Sequence, residues 1–271
     1  MRFSGLGGAY QGSSFSELLE IEYPQMHIGW SELLKGSPAP TLPHGTTVLA
    51  FKYAEGVIVA GDRLATEGYR VASRDVQKVY ATDAHSMIAI AGAAGPAIEM
   101  ARLMRIELEH YEKIEGEALE LDGKANKLSQ MVRANLPAAM QGLVVVPLFA
   151  GYDLRRRAGR IWKFDVTGGR YEEADFDATG SGGLYAKEAL KQRHRSDASR
   201  EDALEIAVSA LQNAAEEDRG TGGIDTVRRI FPTMLACTPA GIEPAAEAEI
   251  ESAYQRTEAS RGARARKGAG A

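Results

Sequence analysis

The chain has 271 residues, of which 44% are hydrophobic and 25% charged, and its formal net charge is −5. This is an ordinary soluble globular composition, and the small acidic excess gives no global reason to expect nucleic acid or an anionic membrane as a partner. The single cysteine, Cys237, excludes an internal disulfide framework and fits a reducing cytosol. No apolar run approaches the roughly 20 residues of a membrane span, and the N-terminus lacks the apolar core of a secretory signal. The sequence therefore predicts a cytoplasmic protein.

Residues 1–45 differ in composition from the rest of the chain. Glycine and serine dominate the first 14 residues, a helix-compatible patch surrounds Phe15, Leu18 and Leu19, and prolines then interrupt any longer element. This segment has too little apolar surface to build a core of its own. Two interpretations stay open, a disordered tail or a propeptide that ends in a cleavage site.

From Thr46 the sequence becomes rich in β-branched and aromatic residues. Thr46–Tyr53 and Val57–Gly61 flank a short turn that contains Gly56, which predicts a β-hairpin. Further short strands are predicted at Tyr69–Ser73, Val76–Tyr80 and Met87–Ala91.

Two helices come after these strands. Pro96 lies near the start of the first, Gly116 is predicted to end it, and its apolar face is predicted to carry Ile98, Ala101, Met104 and Leu108. The second is predicted at about Lys124–Gln141, with a kink or break at Pro137.

The remaining elements repeat the same grouping. Strands are predicted at Leu143–Tyr152, Arg160–Val166, Arg170–Phe176, Arg229–Thr238 and Gly241–Pro244, with helices at Leu184–Arg193 and Ser199–Asp218. A glycine-rich loop is predicted at 179–183, and a frayed helix with a solvated tail beyond about residue 245. Strands and pairs of helices in sequential groups predict sheets covered by helices rather than alternating βαβ units. The spacing of cysteine and histidine fits no zinc site.

The junction Gly45-Thr46-Thr47 suggests how the chain could be catalytic. A threonine at a new N-terminus supplies both a nucleophilic hydroxyl and, in its own α-amine, a base with a pKa of roughly 8. Gly45 suits a cleavage site because a residue without a Cβ leaves its carbonyl open to attack. Taken alone the motif is common, and the start of a strand explains it more simply.

Three other residues could support this chemistry. An Asp62–Lys78 pair beside the amine would place positive charge there, which lowers the pKa of the amine and favours a developing alkoxide. Gly92, at a strand-to-helix corner, would expose a backbone N–H as an oxyanion donor. Each also has a purely structural explanation: Asp62 in a turn, Lys78 on a solvated strand face, and Gly92 as a turn residue.

These residues occur together with further motifs in a fixed order. The set comprises Thr46-Thr47-Val48, Gly61-Asp62-Arg63-x-Ala65-Thr66, Lys78, Ala91-Gly92, Gly180-Ser181-Gly182-Gly183 and Asp218. From about Thr46 to about residue 244 the chain resembles proteasome β-subunits, and 107–119 and 131–152 look most like the actinobacterial ones. The resemblance implies an α+β fold, a four-layer αββα sandwich of two antiparallel sheets flanked by helices, as in N-terminal-nucleophile hydrolases.

The resemblance also implies three regions and a set of roles. Residues 1–45 would be a propeptide removed autocatalytically between Gly45 and Thr46, 46–244 the catalytic domain, and 245–271 a C-terminal helix and flexible tail. The implied roles are Thr46 as nucleophile, Asp62 and Lys78 as its electrostatic support, Gly92 as oxyanion donor, and Ser181, Asp218 and Thr221 as the network around the α-amine. Thr221 stands where the family usually has serine, so its hydroxyl is kept. No metal or cofactor is implied.

The resemblance places a substrate pocket beside Thr46. Its residues would be Ala65, Thr66, Val76, Ile90, Ala94 and Ile98. Apart from Thr66 these side chains are apolar, which predicts cleavage after apolar or aromatic residues.

The implied assembly is a pair of stacked heptameric β-rings capped by proteasome α-subunits and fed by an ATPase ring with tagged protein substrates. One alternative is a subunit of the hexameric two-component threonine protease, which has a much shorter leader. A second is a non-catalytic structural β-type subunit, which typically lacks the nucleophile or the lysine or keeps its leader. A third is a binding module with a disordered N-terminal arm.

Overall fold

The structure, a computed structural model, describes residues 12–23, 45–67 and 70–268. In chain order its elements are α1 (Phe15–Glu22), β1 (Thr47–Tyr53), β2 (Gly56–Gly61), β3 (Ala65–Glu67), β4 (Arg70–Ser73), β5 (Val79–Ala81), β6 (Ser86–Gly92), α2 (Ala94–Glu115), α3 (Leu121–Ala134) and α4 (Leu136–Ala139). They continue as β7 (Val145–Asp153), β8 (Ala158–Phe164), β9 (Arg170–Glu173), β10 (Phe176–Gly180), α5 (Gly183–Arg193), α6 (Arg200–Glu217), β11 (Thr233–Thr238), β12 (Gly241–Pro244) and α7 (Glu247–Gly268). Most of the expected leader and the turn at Gly68 lie outside the described residues.

Two antiparallel five-stranded sheets form the centre of the molecule. The first has the order β10-β1-β2-β11-β12 and the second the order β5-β6-β7-β8-β9, while β3 and β4 form a separate two-stranded sheet. The predicted hairpin is confirmed, with Val48 opposite Gly61 and Tyr53 opposite Gly56.

Strand β1 shows how one sequence pattern builds two layers. Val48 and Ala50 belong to the core between the sheets, whereas Leu49 and Phe51 belong to the core between the first sheet and helices α5 to α7. Because successive strand side chains point to opposite faces, an unbroken apolar strand must be covered on both sides. Helices α2 and α3 cover the outer face of the second sheet in the same way. The fold is the αββα sandwich that the resemblance implied.

Cys237 lies in the layer between the sheets, fully buried on β11. Burial raises the pKa of its thiol to about 12. The thiol is therefore held in its neutral, unreactive form and acts as a small apolar side chain.

Three predicted strands are wrong in extent, and one of them, 229–238, forms a strand only from Thr233. The run 76–80 forms a strand only from Val79, because the N–H of Val76 donates to the carbonyl of Arg63 and not to a neighbouring strand. Lys78 thus precedes β5 instead of lying inside a strand. The run 170–176 is divided between the two sheets, with β9 in the second and β10 in the first. The first two residues of the predicted glycine-rich loop, Thr179 and Gly180, belong to β10, which pairs with β1.

The predicted break late in the second helix is confirmed: the helix stops at Asn135, two residues before Pro137, and resumes as the short helix α4. Two other predictions about helices need correction. Ile98 is 48% exposed, because the face of α2 that packs on the sheet is formed by Ala97, Met100, Ala101, Met104 and Leu108. The expected frayed C-terminal helix is the regular helix α7, which packs on α6 and buries Ile250, Ala253 and Thr257.

Arg160 holds the outer edge of the second sheet together. Its guanidinium donates to Glu172 at 2.8 Å and 2.6 Å, to Asp122 at 2.5 Å and 3.1 Å and to Asp153 at 3.1 Å, and it lies 4.5 Å from the centre of the Trp162 ring. The side chain is buried, while Asp122 and Glu172 are partly exposed. Hydrogen bonds from Arg160 lower the pKa of both Asp122 and Glu172.

We expect Arg160→Met to lower the free energy of unfolding at pH 7 by about 2 kcal/mol, because it leaves three carboxylates without their shared cation. Carboxyl groups whose pKa is lowered by folding stabilise the protein above their ordinary pKa of about 4 and lose that contribution below it. The difference between the two proteins should therefore shrink as the pH falls from about 7 towards about 3.

Urea unfolding at several pH values measures this effect. Arg155→Met is the matched control, because Arg155 pairs with Glu120 on the exposed surface and its loss should cost less than about 0.5 kcal/mol. Equal losses for the two variants would contradict the role assigned to Arg160.

Candidate active site

Five chain segments meet at one open end of the sandwich. Thr46 immediately precedes β1, Asp62 follows β2, and Lys78 precedes β5 of the other sheet. The loop after β10 and the loop after α6 close the site from the other side, through the segments 180–182 and 218–222.

Asp62 is a buried carboxylate that organises the backbone around it. Oδ1 accepts the N–H of Thr47 at 2.8 Å, and Oδ2 accepts the N–H groups of Leu64 at 2.9 Å and Gly222 at 2.8 Å. Oδ1 also lies 2.7 Å from Nζ of Lys78. One carboxylate therefore fixes the start of β1, the chain after β2, the loop after α6 and the lysine.

Lys78 is buried and uses all three of its donors. Besides Asp62, Nζ donates to the carbonyl of Leu64 at 2.6 Å and to the carbonyl of Gly45 at 3.3 Å. Burial lowers the pKa of Lys78, although the charge of Asp62 opposes that effect. The pair crosses between the sheets, since Asp62 belongs to the end of the first sheet and Lys78 to the beginning of the second.

Thr46 is buried with its hydroxyl against the peptide that precedes it. Oγ1 donates to the carbonyl of Gly45 at 2.6 Å, and the backbone N–H of Thr46 donates to Oγ of Ser181 at 3.4 Å. The N–H of Ser181 in turn donates to the carbonyl of Thr46 at 2.9 Å. The carbonyl of Gly45 thus accepts from both Lys78 and Thr46.

A chain of hydroxyl and carboxyl groups continues from Ser181. Its Oγ donates to Oδ2 of Asp218 at 2.5 Å, and Oγ1 of Thr221 donates to the same oxygen at 2.6 Å. The hydroxyls of Thr47 and Thr221 lie 2.5 Å apart, and the N–H of Gly182 donates to the hydroxyl of Thr47 at 3.1 Å. The threonine at position 221 therefore reaches the carboxylate of Asp218 within hydrogen-bond distance.

Several glycines at this site, among them Gly45 and Gly92, occupy places where no other residue fits without displacing its neighbours. A Cβ on Gly45 would lie 2.5 Å from Oγ1 of Thr66 and 2.6 Å from the carbonyl oxygen of Gly220. Gly92 has a φ of +119°, and a Cβ there would lie 2.1 Å from the carbonyl oxygen of Val144. Glycine is thus required both at the junction before Thr46 and at the corner where β6 leads into α2.

A cleft opens directly beside Thr46, Lys78 and Gly92. Its lining includes five of the six residues expected to form the substrate pocket, Ala65, Val76, Ile90, Ala94 and Ile98. The sixth, Thr66, is not among its lining residues in the part of the chain that the structure describes, and its hydroxyl lies against Gly45 instead.

Sequence reasoning missed several residues of this site. Gln77, Tyr80 and Ala97 also line the cleft, and the hydroxyl of Tyr80 donates to the carbonyl of Gln77 at 2.5 Å. The spacing of two residues from Val76 to Lys78 to Tyr80 is the signal that could have found Tyr80, since alternate residues of an extended segment share a face. The hydrogen-bonding role of the Thr47 hydroxyl was also missed. No local sequence signal distinguishes a threonine with a buried hydrogen-bonded hydroxyl from any other threonine in a strand.

The described residues contain no group of three or more His, Cys, Asp or Glu side chains that could hold a metal ion. Among these residues, too, no helix is both long and apolar enough to cross a membrane.

The two stacked antiparallel sheets, their helical covers and the threonine–lysine–aspartate site at one end define a sandwich of the N-terminal-nucleophile hydrolase class. Residues 42–230 of this chain match the model of a protein family described as "Proteasome subunit". The protein named "Proteasome subunit beta" in Acidothermus cellulolyticus is 48% identical to this chain, over 92% of this chain and 87% of its own length. The protein of that name in Stackebrandtia nassauensis is 49% identical, over 92% of this chain and 91% of its own length. The protein of that name in Streptomyces griseus is 51% identical over 84% of this chain and 82% of its own length.

The chain belongs to the proteasome subunit family, with the β-subunits of bacterial 20S proteasomes. Membership of this family implies a protease of the proteasome type and association with α-subunits and other β-subunits in rings.

The opposing effects on Lys78 yield a prediction. Because burial lowers its pKa and Asp62 raises it, Asp62→Asn should lower the pKa of Lys78 further, and the ammonium should lose its proton at a lower pH than in the unaltered chain. NMR titration of ¹³C-labelled lysine side chains measures this, with the exposed Lys113 as the internal reference.

Asp165→Asn is the control, since Asp165 is a carboxylate that also accepts backbone N–H groups but lies on an exposed turn. An unchanged titration of Lys78 in Asp62→Asn would mean that the two groups are not electrostatically coupled.

Proposed function

We propose that this chain is the catalytic β-subunit, a threonine endopeptidase that degrades proteins inside the ring-shaped chamber. Thr46 is its nucleophile and becomes active when the chain is cut between Gly45 and Thr46. The observation that carries the proposal is the position of the Thr46 hydroxyl, 2.6 Å from the carbonyl oxygen of Gly45, to which the buried Lys78 also donates.

Autocleavage can proceed from this arrangement by an acyl shift. Oγ of Thr46 attacks the carbonyl carbon of Gly45, the bond from that carbon to the nitrogen of Thr46 breaks, and the nitrogen takes the hydroxyl proton. Water then hydrolyses the ester, which leaves a carboxylate on Gly45 and restores the hydroxyl of Thr46. Lys78 supports the attack because its ammonium stabilises negative charge on the carbonyl oxygen, and the N–H of Gly92 is the further donor that we assign to this charge.

The freed α-amine then serves as the base for substrate cleavage. It takes the proton of Oγ as Oγ attacks the scissile carbonyl, and it passes the proton to the leaving amine. An ester intermediate remains on Thr46, and water releases the second product. Ser181, Asp218 and Thr221 orient the amine, since Ser181 already accepts a hydrogen bond from the nitrogen of Thr46 in the uncut chain.

Steric closure around Gly45 yields a test of autocleavage. We expect Gly45→Ala to slow removal of residues 1–45 by at least about tenfold, because the new methyl group must displace Thr66 or Gly220 and so shifts the carbonyl from the hydroxyl that attacks it. Intact-mass measurement and N-terminal sequencing over time, after co-expression with the matching α-subunit, follow the reaction.

Gly223→Ala is the matched control, since a Cβ there would meet only Ala215, at an ordinary 3.6 Å. Thr46→Ala gives the mass of the uncut chain. If assembled particles of the unaltered chain kept Met1–Gly45, Thr46 would have no free amine and the non-catalytic structural subunit would be the better interpretation.

The apolar cleft yields a second test, concerning cleavage after apolar or aromatic residues. Peptides with such a residue before the scissile bond should be cleaved at least about tenfold faster than peptides with lysine there, because burial of an apolar side chain favours binding by roughly 1.5 kcal/mol or more. Ile98→Asp should narrow that ratio by placing a carboxylate in the lining of the cleft.

Ile114→Asp introduces the same charge on the same helix at another exposed position and should leave the ratio unchanged. A strict preference for basic residues in the unaltered particle would refute the assignment of the pocket.

The proposal extends to the assembly, a cytoplasmic particle of two heptameric β-rings capped by α-subunits. An ATPase ring delivers tagged protein substrates to this particle. The rival hexameric threonine protease shares the nucleophile and the lysine. The 45 residues before Thr46 and the identity of about 50% to proteins named proteasome β-subunits favour the heptameric particle.

A further inference from the structure

Helix α1 lies on the outer helical layer of its own subunit, on α2 and α3. The contact surface, here termed the α1 site, comprises Glu107 and His110 of α2 and Lys127 of α3. Glu107 is a carboxylate at only 3% exposure, in a helix whose other buried residues are all apolar. Neither the catalytic chemistry nor the packing of the second sheet accounts for a charge at this position.

The polar part of the α1 site matches the first turn of α1. Oε2 of Glu107 accepts the N–H of Phe15, the first residue of the helix, at 3.0 Å. Nζ of Lys127 lies 3.0 Å from the same carboxylate oxygen and donates at 2.9 Å to Oγ of Ser14, which caps the helix. The first N–H groups of a helix have no partner within it and carry its positive dipole end, so a buried carboxylate is well suited to bind them.

The apolar part of the site orients the helix. The ring of Phe15 lies 5.9 Å from the ring of His110, centre to centre, and Leu18 and Leu19 are half-buried one turn further on. Ile21 is 54% exposed, so within the part of the chain that the structure describes one face of α1 is covered and the face with Ile21 is not. A helix of eight residues is too short to be stable alone in water, and its order therefore depends on this contact.

We propose that the α1 site is a binding site for residues 12–23 of the same chain, with the ion pair between buried Glu107 and half-buried Lys127 as its polar anchor. The site holds the segment by its capped N-terminus and by one apolar face. It is separate from the catalytic cleft and fixes the leader to its own subunit at a second point.

The consequence for the leader rests on the proposed function, because only cleavage at Gly45–Thr46 separates the segment from the subunit. Before the cut the described part of the leader, residues 12–23, is held covalently and at the α1 site, and after the cut the contact at the α1 site remains. The docking itself needs no catalysis. It can be measured in a chain that never cleaves, and failure of the peptidase proposal would leave that measurement unaffected.

Hydrogen exchange in the full-length Thr46→Ala chain tests the proposal. We expect Glu107→Gln to speed exchange of the amides of residues 18–22 by about tenfold, because it removes the charge from the hydrogen bond that anchors the helix. Glu109→Gln is the matched control on the same helix, since Glu109 is exposed and pairs with Lys113. Exchange in β1 and α6 shows whether the fold itself is intact.

A second pair of variants tests the anchor without altering the α2–α3 layer. Phe15→Ala removes the ring but keeps the N–H, whereas Phe15→Pro removes both, and proline fits the first position of a helix. Ser14 is already extended, at φ −92° and ψ 121°, as a residue before proline must be. The amides of residues 18–22 should therefore exchange about tenfold faster in Phe15→Pro than in Phe15→Ala when Glu107 is present. The difference should be smaller in Glu107→Gln, whose neutral amide oxygen accepts a weaker hydrogen bond.

Equal exchange in Glu107→Gln and Glu109→Gln would overturn the proposal, as would amides that exchange at unprotected rates in the Thr46→Ala chain itself. If Glu107→Gln also speeds exchange in β1 or α6, the comparison of Phe15→Ala with Phe15→Pro, both with Glu107 intact, tests the anchor instead. Equal amide exchange rates at residues 18–22 in these two variants would refute it.

Discussion

The ammonium of Lys78, buried where the two sheets part, is the constraint on which the site depends. A buried charge costs several kcal/mol unless it is paired and its remaining donors are satisfied. Asp62 supplies the opposite charge, and the carbonyls of Leu64 and Gly45 accept hydrogen bonds from the other two N–H groups of the ammonium. Because Asp62 also accepts three backbone N–H groups, the same balance fixes the chain on either side of it. The position of Thr46 is a consequence of neutralising a charge between two sheets.

The segment 218–222 reaches Thr46 because its backbone comes close to that of Gly45. The segment 218–222 lies so near Gly45 that a Cβ on either Gly45 or Gly220 would overlap the other residue. At that distance the short side chains of Ser181 and Thr221 suffice to connect Thr46 and Thr47 with Asp218. Hydroxyl groups on short side chains have few rotamers, so little conformational entropy is lost when they form such a network. Glycine and small polar residues therefore belong together here, for one geometric reason.

Local patterns in the sequence predicted what depends on local physics. Alternation and the turn at Gly56 predicted the first hairpin, and Gly116 the end of α2, since each depends on neighbours in the chain. The change of sheet between β9 and β10 could not be predicted, because alternation is the same in either sheet and the crossing contains neither glycine nor proline. Ile98 was misplaced because periodicity does not say which neighbour a helix face meets. The order of motifs predicted the Asp62–Lys78 contact. Only the folded chain shows that this contact joins one sheet to the other.

The single thiol in the layer between the sheets makes the opening of that layer measurable by alkylation. Cys237 is fully buried, and its raised pKa keeps it from reacting with an alkylating reagent while the sheets are in contact. Every alkylation event must then be preceded by separation of the sheets, and at high reagent concentration the labelling rate becomes the rate of that separation. Since this chain carries a single cysteine, the count of labelled copies of it in an assembly would report how many of those copies have opened, without any engineered probe.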